Sequence, residues 1–172
     1  MKKFLTAILI LTIALFSLAA NGSAEKATDT PVIAFETTDI FGNQVSSAEL
    51  FAESRITMLN VWATYCSPCI GELPFLGKIP SEYDKADLQI IGVISDVFDQ
   101  ATYDTAISLI TSKGAHTYPH LLVSESLYNS VVKDIVGVPT TIFIDSEGHV
   151  LKSVVGSNTL ARWKEIITSI SQ

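Results

Sequence analysis

Two near-continuous apolar runs, Ile56-Thr57-Met58-Leu59-Asn60-Val61-Trp62 and Leu88-Gln89-Ile90-Ile91-Gly92-Val93-Ile94, constrain this chain more than any other feature. A strand with one wet face alternates apolar and polar residues, so a run with little alternation has to be covered on both faces. The segment between the two runs has room for one helix, read here over Ser67 to about Tyr83. Strand, crossover helix and strand make the unit of a parallel sheet, in which helices cover the faces.

The flanking segments extend that unit. Val32 to Thr38 has strand composition, Asp39-Ile40-Phe41-Gly42-Asn43 reads as a turn, and Gln44-Val45 returns, which predicts a β-hairpin. Ser46 with Glu49 predicts a capping box for a short helix ending near Glu53. Downstream, Asp99 to Lys113 reads as a helix stopped by Gly114, Leu121 to Val123 as a short strand, and Ser126 to Ile135 as a short helix. Thr140 to Asp145 and His149 to Val155 flank Ser146-Glu147-Gly148 as a second hairpin. Asn158 is expected to cap a last helix reaching about Ser169, with Leu160, Trp163, Ile166, Ile167 and Ile170 facing inward. The fold class is therefore α/β, a central mixed sheet with helices on both faces and an extra N-terminal β-hairpin. Active residues in such sheets collect at the carboxyl ends of strands, which points to the residues just after Trp62.

At the N-terminus, Lys2 and Lys3 precede an apolar stretch from Phe4 to Ala20 and the small residues Ser17 to Ala24. Residues 1–24 read as a signal peptide or N-terminal anchor, 25–31 as a linker and 32–172 as one domain. The expected location is secreted or in the cell envelope, outside the cytoplasm, where a cysteine pair meets oxidants. Eleven Lys+Arg against 18 Asp+Glu give a net charge of −7, the wrong sign for a nucleic-acid partner. Two Cys can neither build a disulfide scaffold nor close a structural zinc site, and no metal site is expected. His116 and His120, four apart, are read as surface residues of the Thr-Tyr-Pro loop.

Cys66-Ser67-Pro68-Cys69 falls at the strand-to-helix junction after Trp62. Two cysteines three apart on a first helical turn bring their sulfurs within bonding reach. Pro68 fits there because the first turn's amides lack intrahelical partners. The positive end of the helix dipole favours a thiolate at Cys66, while Cys69, one turn inside, is expected to be more buried and less reactive. Such a pair divides the labour of thiol–disulfide exchange. Cys66 attacks a partner disulfide to form a mixed disulfide, and Cys69 then attacks Cys66 to release the reduced partner.

The stretch Leu59-Asn60-Val61-Trp62-Ala63-Thr64-Tyr65-Cys66-Ser67-Pro68-Cys69, with Gly71-Glu72-Leu73-Pro74 after it, resembles the thioredoxin-like, envelope-located thiol–disulfide oxidoreductases of the TlpA/ResA type, within the redoxin superfamily. Gly137-Val138-Pro139-Thr140-Thr141 resembles the cis-proline loop of that fold, and Phe143 to Val150 its final hairpin. The likeness covers essentially the whole chain after the N-terminal segment. It implies a thioredoxin-like fold, with Cys66 as nucleophile, Cys69 as resolving cysteine and Pro139 as the cis-proline. It also implies that Val138 pairs its backbone with a bound polypeptide, that Trp62 and Tyr65 flank the substrate, and that Glu72 is an acidic residue near the pair that opposes thiolate formation and shuttles protons. Tyr65 departs from the Trp that the family often carries before the first Cys. Ser67-Pro68 lacks the basic residue found between the cysteines of strongly oxidising relatives, which points to the reducing direction. The implied partners are exported proteins with disulfides or thiols and a membrane redox partner supplying electrons, and a monomer is expected. Family members serve cytochrome c maturation, general disulfide reduction or support of other redox enzymes. No cofactor is expected, since no G-x-G-x-x-G occurs.

Two other functions share this architecture. A peroxiredoxin-like thiol peroxidase needs a Thr three residues before the attacking Cys, where Ala63 stands, and an Arg, of which only Arg55 and Arg162 exist. A copper-binding thioredoxin-like chaperone would use the two sulfurs as copper(I) ligands without turnover.

Overall fold

The computed structural model describes residues 32–171, so the expected signal or anchor and the linker lie outside the described residues. In chain order the elements are β1 (Glu36–Thr38), β2 (Gln44–Ser46), α1 (Ser47–Ala52), β3 (Ile56–Trp62), α2 (Ser67–Leu76), β4 (Leu88–Ile94), α3 (Gln100–Ser112), β5 (His120–Leu122), α4 (Glu125–Ser130), β6 (Thr140–Asp145), β7 (Val150–Val155) and α5 (Leu160–Ile170). Single 3-10 turns follow α2 at Ile79–Ser81 and α4 at Val132–Asp134. Both apolar runs are strands buried along their whole length. They pair in parallel, from Ile56 opposite Leu88 to Trp62 opposite Ile94.

The sheet order is β5-β4-β3-β6-β7. β5 joins β4 in parallel, while β6 lies antiparallel to β3 and β7 antiparallel to β6. Alternation along β3 sorts its side chains onto two faces. Met58 and Trp62 pack with Cys69, Leu73 and Leu76 of α2, Ala106 and Ile110 of α3, and Trp163, Ile166 and Ile167 of α5. Leu59 and Val61 pack on the other face with Phe51 of α1, Leu127 of α4, and Phe35 from the hairpin segment. Each Leu, Ile, Val, Met or Phe side chain among them taken fully out of water contributes roughly 1.5–3 kcal/mol. The helix carrying the cysteine pair is thus fixed on the sheet by its own inward stripe, Cys69, Leu73 and Leu76, spaced by four and by three.

Several expected boundaries are corrected. The helix after Trp62 ends at Leu76, not near Tyr83. A methyl group at Gly77 would overlap the Gly114 carbonyl, so the two segments meet backbone to backbone there, and the chain continues into the separate 3-10 turn at Ile79–Ser81. Ser46 makes no side-chain cap. Instead Ser47 Oγ accepts from the Phe35 N–H at 2.9 Å, tying α1 to the first strand segment. That segment is shorter than expected: only Glu36–Thr38 pairs as a strand, with Val32 making one isolated bridge to His149. The helix expected from Ser126 to Ile135 is α4 and a separate 3-10 turn. Thr159, not Asn158, caps α5, its hydroxyl accepting from the Arg162 N–H. Among the described residues no helix is long and apolar enough to cross a membrane.

Candidate active site

β3 delivers the chain to the site, and a short loop turns it into α2. Thr64 fixes that loop, donating to the Asp96 carboxylate from its N–H at 3.0 Å and from its hydroxyl at 2.6 Å. Cys66 is the N-cap of α2, and its Sγ accepts from the Cys69 N–H at 3.2 Å. A helix N-terminus with a donor already aimed at sulfur favours negative charge on that atom once the pair is reduced. Cys66 and Cys69 are joined as a disulfide, S–S 2.01 Å. Cys66 keeps 6% of its surface exposed against 1% for Cys69, so the outer sulfur belongs to Cys66. Tyr65, beside it, is 76% exposed.

The start of β6 closes the other side. The Val138–Pro139 peptide is cis, and the Val138 carbonyl oxygen lies 3.5 Å from Cys66 Sγ. The loop is braced by the Thr140 hydroxyl donating to the Gly137 carbonyl at 2.6 Å and by the Gly156 N–H donating to the Pro139 carbonyl at 2.8 Å. Sulfur and backbone acceptor therefore come together from segments 72 residues apart.

Glu72 follows Cys69 by three residues, on the same helical face, and is 1% exposed. Its Oε1 accepts from the Asn158 N–H at 2.6 Å and from the Trp163 indole N–H at 2.9 Å, while among the described residues no donor reaches Oε2 with hydrogen-bond geometry. Burial pushes its pKa up to about 7, opposed in smaller measure by the Asn158 N–H, the Trp163 indole and the Asn60 amide. A cavity of about 300 Å³ runs along this carboxyl, lined by Pro68, Gly71, Phe75 and Ser157 among others. A buried carboxyl that exchanges its proton near neutral pH has the property expected of a proton carrier.

Two expectations change. Trp62 is fully buried and offers no surface to a substrate; its indole N–H donates to His120 Nδ1 at 3.4 Å, within the core behind the cysteines. His120, read as a surface residue, is the first residue of β5 and buried, while His116 is exposed. Its Nδ1 accepts from Trp62, so its Nε2 carries the hydrogen and donates to the Ala115 carbonyl at 2.9 Å. Burial pulls the His120 pKa down to about 4, partly offset by that Ala115 bond. The ring sits so close over Gly92 of β4 that any side chain at Gly92 would overlap it.

Asn158 and Trp163 escape sequence reasoning as partners of the site. Each bonds Glu72 across 86 and 91 residues, and no local pattern announces such a pairing. The features of a peroxidase do not assemble. Ala63 fills the required position, Thr64 is committed to Asp96, Arg162 pairs with Glu165 on the surface, and Arg55 stands at the opposite end of β3 from Cys66.

A family model described as Redoxin matches residues 25–166. Among curated relatives, the thiol-disulfide oxidoreductase ResA of Bacillus thuringiensis is 23% identical over 145 residues, covering 80% of this chain and 75% of the relative. The thiol:disulfide interchange protein DsbE of Haemophilus influenzae is 30% identical over 140 residues, covering 81% of this chain and 72% of its own. Of solved structures, a thiol:disulfide interchange protein of the thioredoxin family from Chlorobium tepidum superposes with a TM-score of 0.68 at 23% identity, over 83% of this chain and 97% of that one. StoA of Bacillus subtilis gives 0.61 at 22% identity, over 77% and 94%. These two likenesses bear on the fold, which is thioredoxin-like. With a family match over most of its length and a 30% identical relative, the chain belongs to the redoxin family, as a thiol–disulfide oxidoreductase of the ResA and DsbE type with a Cys66–Cys69 pair.

Proposed function

We propose that this oxidoreductase works outside the cytoplasm, reducing disulfides in exported proteins, with Cys66 as nucleophile and Cys69 as resolving cysteine. The observation that carries the reading is the placement of Cys66 Sγ at the start of α2, 3.5 Å from the Val138 carbonyl. In the reduced protein the Cys66 thiolate attacks one sulfur of a substrate disulfide. A Cys66–substrate disulfide forms, and the substrate's other sulfur leaves as a thiolate that takes a proton from solvent. Cys69 gives its proton to the Glu72 carboxylate and attacks Cys66 Sγ. The Cys66–Cys69 disulfide forms, and the substrate leaves fully reduced, carrying two electrons. A dithiol on a membrane redox partner restores the enzyme by the reverse exchange. Residues 1–24 support the location, since a signal or anchor would carry the domain out of the cytoplasm.

Replacement of Cys69 by Ala tests the chemistry. The variant is expected to accumulate covalent adducts with envelope proteins, released by dithiothreitol and absent when Cys66 is also replaced. Adducts that persist without Cys66, or a failure to form any, would count against the scheme. A copper chaperone would instead bind copper(I) tightly and reduce no disulfide.

The reducing direction rests on charge. No cation stands between the cysteines, and Glu72, buried on the same helix face as Cys69, disfavours a second negative charge nearby. An oxidant of this kind gains its strength from a stabilised dithiol form, which these features withhold. The reduction potential is expected nearer that of a reducing exchange protein, ~−270 mV, than that of a strong oxidant, ~−120 mV. Equilibration with glutathione or dithiothreitol measures it, and a value close to the oxidising end would reverse the assignment.

A further inference from the structure

The two groups that donate to Glu72 within hydrogen-bond distance come from the far end of the chain, and both bond the same oxygen. Oε1 accepts the Asn158 N–H at 2.6 Å and the Trp163 indole N–H at 2.9 Å. Both lone pairs of Oε1 are then in use. A proton on Oε1 would compete with donors already pointing at it, so the neutral carboxyl carries its proton on Oε2, which no donor reaches with hydrogen-bond geometry among the described residues. Trp163 itself is fully buried, and its ring lies 6.1 Å from that of Phe143. Packing alone would be served by any large aromatic residue at that position; only Trp puts an N–H donor on the carboxyl.

We infer that Trp163, with the Asn158 amide, is a positioning residue of the exchange reaction: by occupying Oε1 it assigns proton transfer to Oε2 and stabilises the ionised carboxylate that receives the proton from the cysteine pair. This rests on the reading of Glu72 as proton carrier. It gives α5 a chemical task beyond covering the sheet, because the carboxylate on α2 is held from α5 and its approach.

Few titratable groups share this environment among the described residues. Cys66 and Cys69 lie on the same helix as Glu72 and do not titrate while joined. Tyr118, from the loop before β5, is buried with its hydroxyl unpartnered, and burial, then the Glu72 charge, raises its pKa far enough to keep it neutral. Asn60 of β3 is uncharged; its Nδ2 donates to Thr141 Oγ1 at 2.9 Å, and its amide dipole favours the Glu72 carboxylate in smaller measure than Asn158 and Trp163 do. On α5, Lys164 pairs with Glu82 and Arg162 with Glu165 at the surface. His120 is satisfied by Trp62 and Ala115.

The oxidised full chain therefore isolates the Glu72 titration. In the unaltered protein, the Trp163 indole N–H resonance is expected to move with pH at the same midpoint as the Glu72 carboxyl carbon, and to stop moving in Glu72→Gln. The Trp62 indole, bonded to His120, is the internal control and should not follow that midpoint. Trp163→Phe, which keeps an aromatic ring but loses the donor, should move the Glu72 midpoint to higher pH by about one pH unit, a tenfold change in proton affinity. The pH profile of Cys66 alkylation in the reduced protein should move the same way. A Trp163 indole indifferent to Glu72 ionisation overturns the inference without needing the variant to fold. If the indole follows Glu72 but Glu72→Gln leaves the alkylation profile unchanged, the assignment of Glu72 as proton carrier falls, and the inference with it.

Discussion

Replacing Cys66 with alanine is expected to abolish turnover, lowering the rate of protein disulfide reduction by about a thousandfold or more, because the attacking atom itself is gone. Replacing Cys69 should be as damaging to turnover but should spare the first half of the reaction. The asymmetry follows from the position of the two sulfurs. Cys66 caps α2 and retains an exposed edge between Tyr65 and the Val138 carbonyl, whereas Cys69 is one turn in, packed with Leu73 and Trp62. A macromolecular disulfide can reach only the first. Reduction of insulin with dithiothreitol as electron donor measures turnover, and quenched-flow capture of the mixed disulfide measures the first half. Turnover retained in Cys66→Ala, or a mixed disulfide formed through Cys69 in its place, would invert the assignment. The alkylation rates of the reduced protein should show the same order, Cys66 well ahead of Cys69.

What could be read ahead of the structure was governed by how local the determining interaction is. β3 and β4 are legible because burial on both faces writes an apolar run into seven consecutive residues. The cysteine pair is legible because three residues of spacing and a following helix define it alone. The end of α2 is not, since it depends on the Gly77 backbone meeting the Gly114 carbonyl from the turn after α3. Nor is the burial of His120. An imidazole beside Pro119 reads as loop until Trp62, 58 residues earlier, and Ala115 satisfy its two nitrogens. Glu72 is identified through resemblance, yet the residues that tune it are not. Asn158 looks like a helix cap, a task that falls to Thr159 one residue later, and its free N–H turns to the carboxylate instead. Polar partnerships across the core leave no periodic trace, because each needs one residue on either side and no repeat.

The stability of the oxidised protein should vary little between about pH 4.5 and 6.5, and Glu72→Gln should expose a steep slope concealed there. Glu72 titrates near its ordinary 4.5 when unfolded and at about 7 when folded. Between those values the folded state holds a proton that the unfolded state has lost, so stability from this group is full below 4.5 and falls as pH rises through 7. His120 behaves oppositely. Its ordinary 6.5 drops to about 4 in the fold, so its contribution is full above 6.5 and is lost as pH falls through 4. Each displacement corresponds to about 3 kcal/mol over its range, at about 1.4 kcal/mol per pH unit. Where the ranges overlap, the slopes oppose and nearly cancel. Glu72→Gln removes one of them. Its amide oxygen can still accept from Asn158 and Trp163, but its NH₂ replaces the unpartnered Oε2, which adds a pH-independent cost. The informative quantity is therefore the difference in unfolding free energy between variant and parent as pH varies. It should shift in favour of the variant by about 3 kcal/mol between pH 4.5 and 7, leaving the variant with the rising slope of His120 alone. Urea unfolding at half-unit intervals from pH 4 to 8 measures it. A difference that stays constant across that range would mean that Glu72 keeps an ordinary carboxylate affinity despite its burial, and would remove the physical basis for its part in the exchange.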